Sequence, residues 1–314
     1  MSFMNKKKTN IIMICLLLTI IFYMITASSK VIESVSFSIS IWKDNLFPTL
    51  FPFFVFSNML LNYGFIDIIG NILSYPMNKF YHLPGECGFV LAASLISGFP
   101  SGAKYTTDLV EKKVINEKQA ERLLTFTHYS NPLFILGMIG SILLNNQKIA
   151  ILILIAHILS GLLVGYIFRD KSSNTKAMNN SKIKNNKPFG QLLTESIISS
   201  LNTMFLLLGI VTIFLIVSTI INEIITLPPL ASTIISGILE MTQGVKLVAE
   251  LNTLELIKVI LITGIISFGG LSVHTQVIGI ISDKKIRYKY FLYARIIHSI
   301  LAITFVSILY FLFI

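Results

Sequence analysis

Charge is what this sequence has least of. Only 13% of its 314 residues are Asp, Glu, Lys or Arg, against about 25% in a soluble domain. That is too little polar surface to cover a particle exposed to water. Cysteine is nearly absent: Cys15 and Cys87 stand singly in apolar runs, which excludes a cysteine-rich zinc site and offers no disulfide framework. The chain has no Gly-x-Ser-x-Gly elbow, no His-Glu-x-x-His pair and no phosphate-cradling P-loop. It therefore reads as no enzyme, requires no cofactor and does not drive a pump with its own nucleotide hydrolysis. An intramembrane hydrolase would need a nucleophile–base pair, and Ser101 with His128 is the one pairing on offer.

What is present is apolar. Hydrophobic residues make up 54% of the chain and the mean hydropathy is +0.78. Runs at 10–27, 45–66, 123–147, 149–168, 196–222, 259–282 and 296–314 carry no charge and approach or exceed the roughly 20 residues a helix needs to cross the hydrocarbon core. Leu, Ile and Phe surround each run instead of forming one stripe, as on a lipid-facing helix. The net charge of +10 sits in loops at 6–8, 169–187 and 284–289. Loop-confined Lys and Arg orient a membrane chain by the positive-inside rule, which argues against nucleic acid. Residues 1–30 have a basic start, an apolar stretch and small residues at Ala27-Ser28-Ser29. The apolar part is longer than a signal peptide's, so a retained anchor helix is favoured over a cleaved leader.

The chain also echoes itself. Ile96-Ser97-Gly98 returns as Ile235-Ser236-Gly237, Gly102-Ala103-Lys104 as Gly244-Val245-Lys246, Ile139-Gly140 as Ile278-Gly279, and His157 as His298. The order is kept and the offset stays near 140 positions, which points to duplication. The division expected is a first repeat at 40–168, a polar, basic linker at 169–190 and a second repeat at 191–314. Each half has one short apolar run. The first, 87–103, is interrupted by Gly98, Pro100 and Gly102; the second, 224–239, contains Pro228-Pro229 and Gly237 and ends at Glu240. Proline breaks or kinks a helix, and runs this short read as re-entrant hairpins.

These readings give an all-α integral membrane protein with seven transmembrane helices and two re-entrant hairpins. With the N-terminus and linker inside, every strongly basic loop falls on the cytoplasmic side, and three spans per half make the repeats inverted.

Two features carry candidate chemistry. A break at Ser97-Gly98-Phe99-Pro100-Ser101-Gly102 frees backbone groups that, with the Ser97 and Ser101 hydroxyls, can hold a polar solute. The alternative is a kink, with Gly98 and Gly102 serving close helix packing. Polar interruptions also lie in two long runs, at His128-Tyr129-Ser130-Asn131-Pro132 and at Ser267-Phe268-Gly269-Gly270-Leu271-Ser272-Val273-His274-Thr275-Gln276. Asn131, Pro132, Gly269, Gly270, Ser272, His274 and Gln276 join the candidate site, since polar groups in lipid turn toward a cavity or a partner helix. His157 and His298 read as packed, hydrogen-bonded residues, so His157→Phe is expected to be mild. Glu240 reads equally as an ion or proton site and as a hairpin tip in water. No Asp, Lys or Arg stands inside the long runs, which weakens ion coupling.

Leu46-Phe47-Pro48-Thr49-Leu50-Phe51-Pro52-Phe53-Phe54, Ser97-Gly98-Phe99-Pro100-Ser101-Gly102-Ala103-Lys104, Ser130-Asn131-Pro132-Leu133-Phe134-Ile135 and Gly269-Gly270-Leu271-Ser272-Val273-His274 together resemble the YlbJ family of sporulation integral membrane proteins. That family is similar to the nucleoside-recognition (Gate) superfamily, which includes spore maturation proteins and the membrane part of a ferrous-iron transporter. The resemblance runs from about Ser40 to the C-terminus. It implies a multi-pass protein of the cell membrane acting in endospore formation, in the spore or mother-cell membrane. The expected role is a transporter or gated pore for a small polar, nucleoside-like solute. A scaffold that recruits cortex or coat factors and moves nothing is the second reading. The partners expected are the lipid bilayer and the solute, with a homo-oligomer or sporulation membrane partners left open.

Overall fold

The computed structural model describes residues 3–170 and 187–314. Every regular element among the described residues is helical, as suits a chain that must satisfy its own backbone polar groups in lipid. The first half opens with α1 (Phe3–Thr26) and α2 (Ser28–Ile41), whose apolar stretches meet at a 98° bend. A π-helical turn at Trp42–Leu46 leads into α3 (Phe47–Asn62) and α4 (Phe65–Pro76). Two short helices, α5 (Cys87–Ser97) and α6 (Ser101–Glu111), flank a break, and α7 (Glu117–Phe126) follows. After a second, extended break comes a π-helix at Phe134–Leu143, and α8 (Gln147–Ile167) closes the half. The second half contains α9 (Phe189–Ile224), the short pair α10 (Pro229–Leu239) and α11 (Met241–Glu250), the broken pair α12 (Glu255–Phe268) and α13 (Gly270–Ile281), and α14 (Tyr288–Phe313).

Local chemistry sets these boundaries. Asn116 and Gln119 form a reciprocal capping box at the start of α7, each bond 2.9 Å. Asn146 caps α8 through Ile149 N–H. The Asn131 side chain accepts from Leu133 N–H at 2.7 Å just before Pro132, and proline disfavours helical geometry in the residue before it. That is why the expected 123–147 span is two helices with an extended segment between them.

Among the described residues four helices are long and apolar enough to cross a membrane, or five if the bent pair counts as one. The 45–66 run divides among the π-turn, α3 and the start of α4. In the second hairpin Pro229 begins α10, the position where a missing N–H costs nothing, and the apex lies at Glu240, where the short run ends. The last helix starts at Tyr288, ahead of the 296–314 run, and takes Arg295 inside the protein, where it is 0% exposed. The absence of charge from the membrane interior therefore does not hold. Most of the expected linker, 171–186, lies outside the described residues.

The halves interleave. α3 packs on α9, α8 on α14, α7 on α14, α12 on α8, and α6 on α13. The buried core forms two main clusters, and both mix the halves. One joins Phe54, Tyr105 and Phe126 with Val277 and Phe291; the other joins Phe99 and Ile135 with Val245 and Ile266. At one end Arg287 grips Glu121 in a two-pronged ion pair, Nε to Oε1 at 2.7 Å and Nη2 to Oε2 at 2.8 Å. Ile12, Phe22 and Ile25 of α1 and Phe311 and Leu312 of α14 are exposed; such side chains suit lipid.

Candidate functional site

The helix breaks pack on one another. Gly98 has φ +76° and ψ −161°, outside the range of ordinary L-residues. A Cβ there would lie 2.5 Å from Asn131 N, and one on Gly102 would lie 1.6 Å from Thr127 O. The first hairpin's apex thus presses backbone to backbone against the break after α7. The second half repeats the contact: a Cβ on Gly270 would lie 3.1 Å from Met241 N and 3.3 Å from Gly237 O, while one on Gly244 would lie 2.1 Å from Gly237 Cα, between the two limbs of the second hairpin. Phe99 joins the pairs. It packs with Met241, Ile265 and Val273, and a Cβ on Gly269 would meet its ring at 3.7 Å. The breaks at 98–102 and 131 therefore meet one another, and the break at 269–270 meets the apex of the second hairpin.

Their side chains are not equally available. Ser97 Oγ donates to Ala93 O at 2.8 Å, and Ser101 Oγ donates to Gly98 O. Both hydroxyl protons are committed to local carbonyls, and Ser101 makes no nucleophile–base pair with His128. The imidazole of His274 is also fully used. Phe268 O can only accept, so Nε2 donates to it at 3.1 Å, which leaves Nδ1 to accept from the Tyr288 hydroxyl. Asn131 and Pro132 are half-buried at the rim. By contrast, both ring nitrogens of His128, the hydroxyls of Ser130 and Ser272 and Oε1 of Gln276 are buried with no hydrogen-bond partner. An unpaired buried polar atom costs about 1–3 kcal/mol, so a concentration of them is an unusual feature to carry in lipid.

Two histidines that sequence reasoning set aside hold this region together. His157 Nε2 accepts from the backbone N–H of Ser130 at 2.9 Å. That acceptance puts the proton on Nδ1, which donates to Ser267 Oγ at 2.8 Å. One imidazole on α8 therefore ties the first half's break to the end of α12, where the second half breaks. The ring of His298 stacks on it at 4.8 Å, and His298 Nε2 donates to His157 O at 2.8 Å. The repeat at His157 and His298 was the available signal. Periodicity alone could not show that the His157 ring reaches the break in the other half.

Beside His298 lies Arg295. Its Nη1 donates to His128 O at 2.7 Å and to His298 Nδ1 at 2.8 Å, and its Nη2 donates to Thr125 O at 2.6 Å. These carbonyls end α7 and enter its break. A cation at a helix C-terminus answers the partial negative charge there. Glu240 occupies the opposite kind of position. It is 1% exposed, not at a tip in water, and it caps α11 by accepting from Gln243 N–H at 2.9 Å and from the Thr242 hydroxyl.

These contacts overturn the expected mildness of His157→Phe. Phenylalanine fills the volume but strands Ser130 N–H and Ser267 Oγ, a cost of about 3 kcal/mol. The variant is expected to unfold in detergent well below the wild type, while His157→Gln, which offers both an acceptor and a donor, recovers part of the loss. Melting curves of the purified proteins check it; a His157→Phe curve matching wild type would leave His157 a mere packing residue.

Polar cavities flank the region at either end of α9. One of about 560 Å³ is lined by Lys30, Ser34, Thr219, Glu223, Gln243 and Lys246. Another, of about 200 Å³, is lined by Asn58, Asn62, Asp108, Lys112, Ser196 and Ser199. Ser199 and Thr219 are separated by roughly 30 Å along the helix at 1.5 Å per residue, about the thickness of a hydrocarbon core. Among the described residues no group of His, Cys, Asp and Glu side chains could hold a transition-metal ion.

Comparison with known proteins gives this arrangement relatives. The family model described as Gate, nucleoside recognition, matches residues 45–169, from the π-turn before α3 to just past α8. The sporulation integral membrane protein YlbJ of Bacillus subtilis (strain 168) is 31% identical over 348 residues, covering 98% of this chain and 84% of the relative. No solved structure matches the chain.

Proposed function

The chain belongs to the YlbJ family of sporulation integral membrane proteins, and from that membership we propose that it is a transporter or gated pore for a small polar solute in endospore formation. The observation that carries the reading is the meeting of four helix breaks around buried polar atoms that lack partners. Transporters build solute sites from interrupted helices whose freed backbone ends replace water. The flanking cavities supply a route toward either face. The description of the matching family, nucleoside recognition, makes nucleosides the first solutes to assay. Among the described residues the Ser97 and Ser101 hydroxyls donate to local carbonyls, so the protein is read as moving its solute unchanged.

The topology proposed is an inverted repeat with α5–α6 and α10–α11 as re-entrant hairpins. Their eleven-residue first limbs rise roughly 16 Å, half of a hydrocarbon core. Contacts between halves come in reciprocal pairs: α7 with α14 answers α12 with α8. A cysteine at Lys118, in a background free of Cys15 and Cys87, is then expected to resist an impermeant thiol reagent added to intact cells, and one at Glu250 is expected to react. Equal labelling from one side would remove the inversion.

The function itself is tested by comparing the small-molecule contents of developing spores with and without this protein, followed by uptake into proteoliposomes. Loss of one solute from the null spores, matched by uptake, supports transport. Unchanged contents with failed coat or cortex assembly would favour the scaffold.

A further inference from the structure

We propose that the solute is a small zwitterion of the α-amino acid class, held at either end of α9 by a lysine and a carboxylate that the protein leaves without partner charges. The cavity beside α2 is lined by two lysines and two glutamates. Lys30 and Glu223 neutralise each other. Lys246 and Glu33 line the same space and enter no ion pair among the described residues. At the other end of α9, Lys187 takes up Glu195 at 2.6 Å. Asp108 and Lys112 line that cavity and again form no ion pair among the described residues. Lys112 reaches an amide, Asn62 Oδ1 at 3.4 Å. Lys104, one turn before Asp108 on α6, reaches a lining hydroxyl, Ser199 Oγ at 3.3 Å.

The duplication places the same constellation at both ends. Lys104 and Lys246 hold corresponding positions in the repeated Gly-x-Lys pattern, each on the second limb of a hairpin. Each lies over a phenylalanine ring, Lys104 over Phe54 at 5.3 Å and Lys246 over Phe37 at 4.8 Å. Alternating access requires one solute to be accepted from either face. An ammonium and a carboxylate on one molecule answer both protein charges at once. A molecule with one charge leaves the other protein charge unpaired, and a neutral nucleoside leaves both, which is how such a site discriminates. In the first cavity the buried, partnerless Oε1 of Gln243 is a further acceptor for the ammonium. The second cavity, of about 200 Å³, falls below the roughly 300–1,000 Å³ of sites for drug-sized ligands, which suits a solute of amino-acid size.

The inference rests on the transport reading, but its test measures binding alone, so the two fail separately. The purified full chain is melted in detergent with each proteinogenic L-amino acid in turn, and with uridine and adenosine. At least one amino acid is expected to raise the melting temperature saturably. Its carboxamide, which lacks the carboxylate, and its N-acetyl derivative, which lacks the ammonium, are each expected to bind about tenfold more weakly, since each loses a hydrogen bond between charged groups. Lys246→Gln and Asp108→Asn are each expected to weaken the apparent affinity, and the double variant to abolish the response. Should Asp108→Asn fold poorly, Glu33→Gln, at an exposed position, serves in its place, again with a weakened response expected. A melt that no amino acid shifts overturns the assignment. So does stabilisation by the nucleosides alone, or an amino-acid response kept in full by the double variant and by Glu33→Gln. An amino acid that binds in this way but does not enter proteoliposomes leaves the site standing and removes the transport reading.

Discussion

Gly102→Ala is expected to abolish complementation of a null strain although the protein still inserts in the membrane. The new methyl carbon would stand 1.6 Å from Thr127 O and 2.7 Å from Thr127 C. These are backbone atoms of the opposing break, with no flexible side chain to swing aside. The first hairpin must retreat from α7, and the contact that creates the buried region opens. Gly98→Ala is expected to fail by two routes, since its φ of +76° strains any L-residue and its Cβ would approach Asn131 N to 2.5 Å. Gly209, on α9, meets nothing within 4 Å of its Cβ position. Gly209→Ala is therefore expected to behave as wild type or slightly better, because alanine favours helix by about 1 kcal/mol. Membrane levels from blots and spore yields decide the matter. A functional Gly102→Ala beside a failed Gly209→Ala would mean that the breaks are not the working part of the molecule.

The second large effect belongs to Arg295. Replacement by leucine removes three hydrogen bonds and leaves Thr125 O, His128 O and His298 Nδ1 without their donor, a loss of about 4 kcal/mol at the usual cost of buried unpaired groups. It also removes the cation from the C-terminal end of α7. Arg295→Lys keeps the charge, but an ammonium is a point donor without the planar fork that reaches carbonyls at 125 and 128 together. The expected order of thermal stability is wild type, then lysine, then leucine. Arg169→Leu is the control, since Arg169 is only half-buried, with its guanidinium over the Tyr166 ring, and it is expected to change little. If the leucine variant melts with the wild type, the buried guanidinium is not what closes α7.

Several features were open to reading from the residues themselves. The scarcity of charge and the long uncharged runs determined an all-helical membrane protein, because lipid leaves backbone groups no other partner than the chain. Gly98, Pro100 and Pro132 determined that helices break where they do, through dihedral limits and a missing N–H that act within a few residues. The near-constant offset that carries Ser97-Gly98 to Ser236-Gly237 and His157 to His298 told which positions correspond.

Only the tertiary structure decided what those breaks meet. Arg295 and Glu240 each flank an apolar run, and by composition a flanking charge belongs in water. Both are buried because a second element supplies what water would have given: the open end of α7 for Arg295, the first turn of α11 for Glu240. His157 looked like a packed residue because its partners, Ser130 and Ser267, lie far away along the chain. Hydrophobicity and backbone limits are local or additive and survive in a linear string. Which buried donor finds which acceptor depends on how the two halves dock, and that is fixed only when the chain has folded.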